Sequence, residues 1–160
     1  MAFKIREIEV NEYPFLKEML FKALYVREGE KPFDRAILDS SDLQKYIANF
    51  GQWSDLGLVL LDGEKLVGAI WSRLFTIEKP SYGFVDVNTP ELTIAIQTDY
   101  HNKGLGTRLM NAFFELALEK GFEQISLSAD KESPVVRLYL RLGFQIIKQE
   151  GTAYTMLKKL

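Results

Sequence analysis

A chain of 160 residues with 47% hydrophobic and 26% charged side chains has the composition of one water-soluble domain, long enough to bury a full core. Its net charge of -2 excludes general nucleic-acid binding, which needs a dominant basic surface. With no cysteine and one histidine, disulfides, thiolate catalysis and Cys- or His-rich metal centres are excluded, and no metal is expected. The opening MAFKIREIEV mixes charges into its apolar run and does not read as a signal peptide. No stretch approaches the roughly 20 apolar residues of a spanning helix. The expectation is a single domain over residues 1–160, in the cytoplasm, with no membrane or nucleic-acid partner.

Phe3 to Ile8 alternates loosely and predicts a first strand. Asn11 is read as the N-cap of a helix, with Pro14 in its first turn where a missing N–H is tolerated. Leu16, Met19, Leu20, Ala23 and Leu24 repeat at the spacing of a buried helical face. The polar stretch Arg27 to Pro32 breaks this helix. Leu43, Tyr46, Ile47 and Phe50 predict a second one, capped by Asp39, Ser40 or Ser41 and stopped at Gly51.

Leu58-Val59-Leu60-Leu61 and Leu66 to Trp71 flank Asp62-Gly63-Glu64-Lys65, a strong signal for an antiparallel hairpin. The third strand is expected to continue through Arg73, Leu74 and Phe75. After a loop at Lys79 to Gly83, Pro90 opens a fourth strand, with Leu92, Ile94 and Ile96 on one face and Glu91, Thr93 and Ala95 on the other. A long helix then buries Leu105, Leu109, Phe113 and Leu116 and stops at Gly121. Gln124 to Leu127 is a fifth strand. Ser133-Pro134 reads as an N-cap followed by proline at the first helical position, opening a short helix that ends at Gly143. Phe144 to Ile147 and Tyr154 to Leu157 complete the strands. The fold class is α/β, a mixed sheet with helices on both faces, in the order β-α-α-β-β-β-α-β-α-β-β.

Between the fourth strand and the long helix lies His101-Asn102-Lys103-Gly104-Leu105-Gly106-Thr107. A helix starting at or just after Gly104 presents free backbone N–H groups and the positive end of its dipole, which together suit a phosphate. A phosphate loop of the type GxxxxGK[ST] needs a lysine after its second glycine, and none is there. A dinucleotide fingerprint needs GxGxxG, and Gly104-Leu105-Gly106-Thr107-Arg108-Leu109 lacks the third glycine. Both nucleotide readings fit poorly.

The turn instead resembles the [Gln/Arg]-x-x-Gly-x-[Gly/Ala] acetyl-CoA site of the GNAT superfamily of N-acetyltransferases. A second family signature, N-P-A-x-x-L-Y-x-x-x-G-F, is matched at the expected place by Ser133-Pro134-Val135-Val136-Arg137-Leu138-Tyr139-Leu140-Arg141-Leu142-Gly143-Phe144. The predicted element order is also that of the family, so the resemblance covers essentially the whole chain. Two positions depart from the pattern. His101 stands for Arg or Gln, which removes a guanidinium, and a mild pH-dependence of cofactor affinity is an expectation from it. Ser133 stands for Asn and keeps a hydroxyl.

The resemblance implies an enzyme, an acyltransferase that uses acetyl-CoA as co-substrate and acetylates a small-molecule or peptide amine. It implies that Ile94, Ile96 and Thr98 offer backbone groups to the pantetheine arm, with Gln97 in the same segment. The pyrophosphate is expected on the N–H groups of Lys103, Gly104, Leu105, Gly106 and Thr107, beside His101 and Asn102. Ser133 is expected at the pantetheine and Tyr139 at the departing sulfur, where a phenol can donate a hydrogen bond or a proton. Glu91 is either the general base or a solvated charge at the start of its strand. Tyr25, Arg27, Glu28, Trp71, Arg73 and Tyr82 are candidates for the acceptor pocket, with Glu28 and Glu30 for an amine and Arg73 for a carboxylate. Asp99, Asp130 and Glu132 are read as loop charges. Two other readings stay open: a non-catalytic acyl-CoA-binding module on the same fold, and an unrelated nucleotide-binding domain. Relatives are often dimers, so a homodimer is a further expectation.

Overall fold

The computed structural model describes residues 2–160. Its elements are β1 (Phe3–Glu7), α1 (Pro14–Ala23), α2 (Ser41–Gln44), β2 (Leu56–Asp62), β3 (Lys65–Arg73), β4 (Glu91–Ile96), α3 (Leu105–Glu119), β5 (Gln124–Asp130), α4 (Val135–Arg141), β6 (Gln145–Glu150) and β7 (Ala153–Lys159). This is the element order expected from the sequence, with short 3-10 turns added. The seven strands form one sheet in the order β1-β2-β3-β4-β5-β7-β6. Only β4 and β5 run parallel, as the crossover through α3 between them requires.

Strand β2 reads as an unbroken apolar run because both of its faces are covered. Leu58 and Leu60 face the cluster built on α3, where Leu105, Leu109, Met110 and Phe113 are buried. Val59 and Leu61 face the cluster built on α1, with Leu16, Met19 and Leu20. Each fully buried Leu or Met side chain contributes about 1.5–3 kcal/mol. The same alternation holds in β4, with Leu92 in the first cluster and Ala95 in the second.

Several boundaries differ from expectation for identifiable reasons. Asn11 is not the N-cap of α1. It lies inside a 3-10 turn, Val10–Glu12, where the Glu12 carboxylate accepts from the Glu9 N–H at 2.9 Å. Pro14 is the first residue of α1, as expected. The second helix is one turn long, Ser41–Gln44. The chain then continues as turns to Asn49, which takes a left-handed φ of 54° that a helix cannot hold. Strand β3 ends at Arg73, so Leu74 and Phe75 lie beyond it. Ser133 makes no side-chain capping bond, and Pro134 occupies the N-cap position of α4.

Arg73 explains how the turns after α2 are held. Its Nε donates to Asp55 Oδ1 at 3.2 Å, and its Nη1 donates to the carbonyls of Lys45 and Ala48 at 3.2 and 2.6 Å. Side-chain exposure is 12% for Arg73 and 3% for Asp55, so water does little to screen the pair. Arg73→Met leaves a buried carboxylate and two carbonyls without this donor, and is expected to cost about 3 kcal/mol. Thermal unfolding checks this, with an expected drop on the order of 10 °C.

Candidate active site

The site originates where β4 and β5 part. They pair only at Glu91 and Ser126, and the Ser126 N–H donates to the Pro90 carbonyl at 3.0 Å. Beyond that point the edge of β4 is free. The antiparallel register with β3 decides what it offers. Gln97 donates its N–H to the Val67 carbonyl at 2.8 Å, so odd-numbered residues of β4 bond to β3. Ile94 and Ile96 therefore point their backbone groups into the gap. Gln97 turns its N–H away from the gap, and Thr98 begins a 3-10 turn, Thr98–Tyr100.

A cleft of about 730 Å³ follows this free edge to the start of α3. Ile94, Ile96, His101, Asn102 and Gly104 to Thr107 lie along it, with Ser133 and Tyr139 on the opposite wall. Gln97, Thr98 and Lys103 lie outside its lining. Lys22 of α1 and Arg141 of α4 also border it, two cations that no motif marked. Gly104 precedes the helix at a left-handed φ of 74°, which glycine adopts without strain. The first N–H groups of α3 have no partner within the helix and suit an anion. A chain-like ligand with phosphates thus fits the cleft: an unpaired strand edge at one end, helix-terminal donors at the other.

His101 has a specific place in this turn. Its Nε2 lies 2.7 Å from the Ile96 carbonyl. A carbonyl only accepts, so Nε2 carries the proton and donates. The imidazole ties the turn to the strand end, and it occupies the Ile96 carbonyl, one of the backbone groups expected at the pantetheine. Ile94 and the Ile96 N–H remain.

A second pocket, about 240 Å³, adjoins this cleft and shares Tyr25, Ile94, Ser133 and Tyr139 with it. Glu91 lies in its wall and is 4% exposed, so its reading as a solvated charge is corrected. The loop at Ser81 to Phe84 covers it. The Ser126 hydroxyl donates to the Gly83 carbonyl at 2.8 Å and pins this loop to β5. A Cβ on Gly83 would collide with Glu91 Oε1 and the Leu127 backbone, so only glycine allows this approach. Glu91 Oε1 is fully buried without a hydrogen bond of good geometry. Burial pushes the Glu91 carboxyl up to about 7, against the smaller opposing pull of the Tyr46 and Ser81 hydroxyls and the Gly83 N–H. Tyr46, which the sequence suggested only as a helical core residue, receives the Tyr82 N–H on its hydroxyl at 2.9 Å. Burial, then the neighbouring Glu91, raise that hydroxyl's own pKa.

Tyr139 lines both spaces. It is 9% exposed and packs edge-on against Phe144 at 6.0 Å between ring centres. Burial pushes its hydroxyl up to about 12, so it is a neutral donor throughout the physiological range. Tyr25 also borders both spaces, and its hydroxyl donates to the Glu132 carbonyl at 3.3 Å.

The remaining acceptor candidates divide. Tyr82 lines the pocket and stacks on Tyr46. Trp71 is core, 1% exposed, with its indole N–H donated to the Tyr46 carbonyl at 3.0 Å. Arg73 is committed to Asp55, and Glu28 and Glu30 are exposed outside the pocket. Arg27 forms a forked pair with Asp130 at 3.1 and 3.2 Å and reaches Glu132 at 3.2 Å. Asp130 is thus the last residue of β5 in an ion pair, not a loop charge. Desolvation alone would raise its carboxyl, but Arg27 and the Glu132 N–H outweigh it and hold the carboxyl below its ordinary value. Among the described residues no cluster of three or more His, Asp or Glu could hold a metal ion.

The profile of the Acetyltransferase (GNAT) family matches residues 13–144. A mycothiol acetyltransferase of Corynebacterium aurimucosum is 29% identical over 85 residues, covering 52% of this chain and 26% of that protein. The chain thus matches about a quarter of that relative's length. The PaiA N-acetyltransferase of Thermoplasma acidophilum, solved in complex with coenzyme A, superposes with a TM-score of 0.73 at 19% identity, covering 100% of both chains. YncA of Salmonella typhimurium, solved with its cofactor acetyl-CoA, superposes with a TM-score of 0.67 at 15% identity, over 100% of this chain and 95% of that one.

Proposed function

The chain belongs to the acetyltransferase (GNAT) family, and on that footing we propose that it moves the acetyl group of acetyl-CoA onto a primary amine seated in the smaller pocket. The observation that carries this reading is the junction. Tyr139 borders the cleft that suits a chain with phosphates, and it also borders the pocket that holds a buried carboxyl of elevated pKa.

Acetyl-CoA supplies an activated thioester carbonyl, to which the amine nitrogen bonds as the C–S bond breaks and CoA leaves as its thiol. Ile94 and the Ile96 N–H receive the pantetheine as an added strand, and the N–H groups of Leu105 to Thr107 take the pyrophosphate. Glu91 accepts the first proton of the ammonium group. A free alkylamine titrates near 10, about three units above Glu91, so transfer in water would be uphill by about 4 kcal/mol. The apolar pocket lowers that difference, since it disfavours the ammonium form. Tyr139 faces the departing sulfur. With its hydroxyl near 12 and a thiol near 8.5, leaving a phenolate behind is unfavourable. Tyr139 therefore hydrogen-bonds the sulfur and relays to it the second proton that the nitrogen sheds. Glu91 returns its proton to water.

The test is release of free thiol from acetyl-CoA with a panel of amines, and mass spectrometry of the acetylated product. Thiol release that depends on the amine supports transfer. CoA binding without turnover across the panel would favour the non-catalytic binding module.

Gly106 gives a sharper test of the cleft. A Cβ there meets Leu138 Cδ2 at 3.7 Å and Ile96 Cδ1 at 4.0 Å, ordinary contact distances. Gly106→Ala is expected to keep CoA affinity within about 3-fold, whereas Gly106→Phe fills the cleft and costs on the order of 100-fold. Calorimetric titration with CoA decides, and equal affinities for the two variants would remove the phosphate turn from the site.

A further inference from the structure

The pocket beside Glu91 carries information about the amine. Its wall is aromatic and aliphatic: Tyr25, Phe33, Tyr46 and Tyr82 supply rings, and Leu43 and Val135 supply branched chains. At about 240 Å³ it falls below the ~300–1,000 Å³ typical of sites for drug-sized ligands. Its only formally charged groups are Glu91 and Asp130, and no lysine or arginine lines it. The nearby cations are engaged. Arg27 is shared by Asp130 and Glu132, and Arg73, opposite Glu91 in the β3–β4 register, is held by Asp55. Lys45, 5.4 Å from the Tyr82 ring centre, donates to the Pro80 carbonyl at 2.7 Å and pairs with Asp42 at 3.6 Å. Glu91 is thus the one carboxyl of this pocket without an ion-pair partner among the described residues.

We infer that the acceptor is a small primary amine bearing an aryl or alkyl group and no carboxylate, its ammonium toward Glu91 and its apolar part among Tyr25, Tyr46 and Tyr82. This rests on the acetyl-transfer reading of the same site. An amino acid would bring its carboxylate against a wall whose lining holds no cation, with the nearby Lys45 already paired to Asp42 and with Glu91 repelling it. A polyamine would bury a second ammonium where the one other carboxylate, Asp130, is already paired with Arg27 and the remaining acceptors are neutral. Discrimination here comes from penalties on the wrong ligand as much as from contacts to the right one.

The experiment compares phenethylamine, phenylalanine, spermidine and a lysine-bearing peptide, by acetyl transfer and by saturation-transfer NMR on the CoA-loaded protein. Phenethylamine should exceed phenylalanine in kcat/KM by at least about 100-fold. Phe33→Lys, at a position 40% exposed and therefore tolerant, adds a cation to the wall and should shrink that ratio to below about 10-fold. Phenylalanine, spermidine or the peptide matching phenethylamine overturns the inference. So does turnover of any of them when phenethylamine does not bind. Phenethylamine that binds at the pocket without being acetylated supports the pocket assignment and sinks the transfer reading instead.

Discussion

Tyr139→Phe is expected to lower kcat by about 100-fold while changing the Kd for CoA by no more than about 2-fold. The substitution removes one hydroxyl and keeps the ring that packs against Phe144. The fold and the cleft therefore persist. Catalysis by a positioned acid ranges over about 10²–10⁴-fold, and this case belongs at the low end. Burial pushes the hydroxyl up to about 12, so in the proposed mechanism its part is a hydrogen bond to the departing sulfur. The same value fixes the pH behaviour. Tyr139 stays protonated over the whole practical assay range, and no alkaline limb below about pH 10 is expected from it. Steady-state kinetics with CoA titration check both points. Unchanged turnover in the variant, or a wild-type limb below that pH which the variant loses, would contradict the role.

Glu91→Gln is expected to cost about 10²–10³-fold in kcat/KM near pH 7.5. It should also abolish the acid limb near pH 7 that the proposed base role of Glu91 predicts for the wild type. The stability change has the opposite sign. The folded-state value lies above the ordinary 4.5 because burial disfavours the charged form. The protonated native carboxyl stabilises the fold fully below pH 4.5, and that contribution is lost as pH rises through about 7. The Gln variant has no such loss. Its Tm relative to wild type should rise between pH 5 and pH 8, and a fall over that interval would mean that Glu91 is not desolvated. A variant that is less active and more stable above neutrality is what a carboxyl buried for function predicts.

The turn before α3 and the start of α4, which line the larger cleft, are legible in the sequence because they are local. The turn and its helix lie within a few residues of each other, and Ser133 to Phe144 is one short helix with its flanks. The apolar spacing of α3 is a true helical period, so Leu105, Leu109 and Phe113 are buried as expected, while Leu116, nearer the helix end, is only partly so. The region of α2 misled because Leu43, Tyr46 and Ile47 reach the core from consecutive turns. Such turns mimic helical spacing over a short stretch. Trp71 and Arg73 were drawn into the pocket by their chemistry. Their strand β3 is covered on both faces, and pattern alone does not say which neighbour each residue meets. Glu91 was ambiguous for a different reason. Its burial depends on Gly83, on a loop folded back across β5, and no local signal announces that contact. The Arg27–Asp130 pair joins residues 103 apart in the chain and was equally hidden.

A crystal structure of this protein with CoA bound should place the thiol sulfur within hydrogen-bond reach of the Tyr139 hydroxyl, the pantetheine along Ile94, and the pyrophosphate on the N–H groups at Leu105 to Thr107. Phosphates lying away from the start of α3, or a sulfur lying away from Tyr139, would overturn both the cleft assignment and the role of Tyr139.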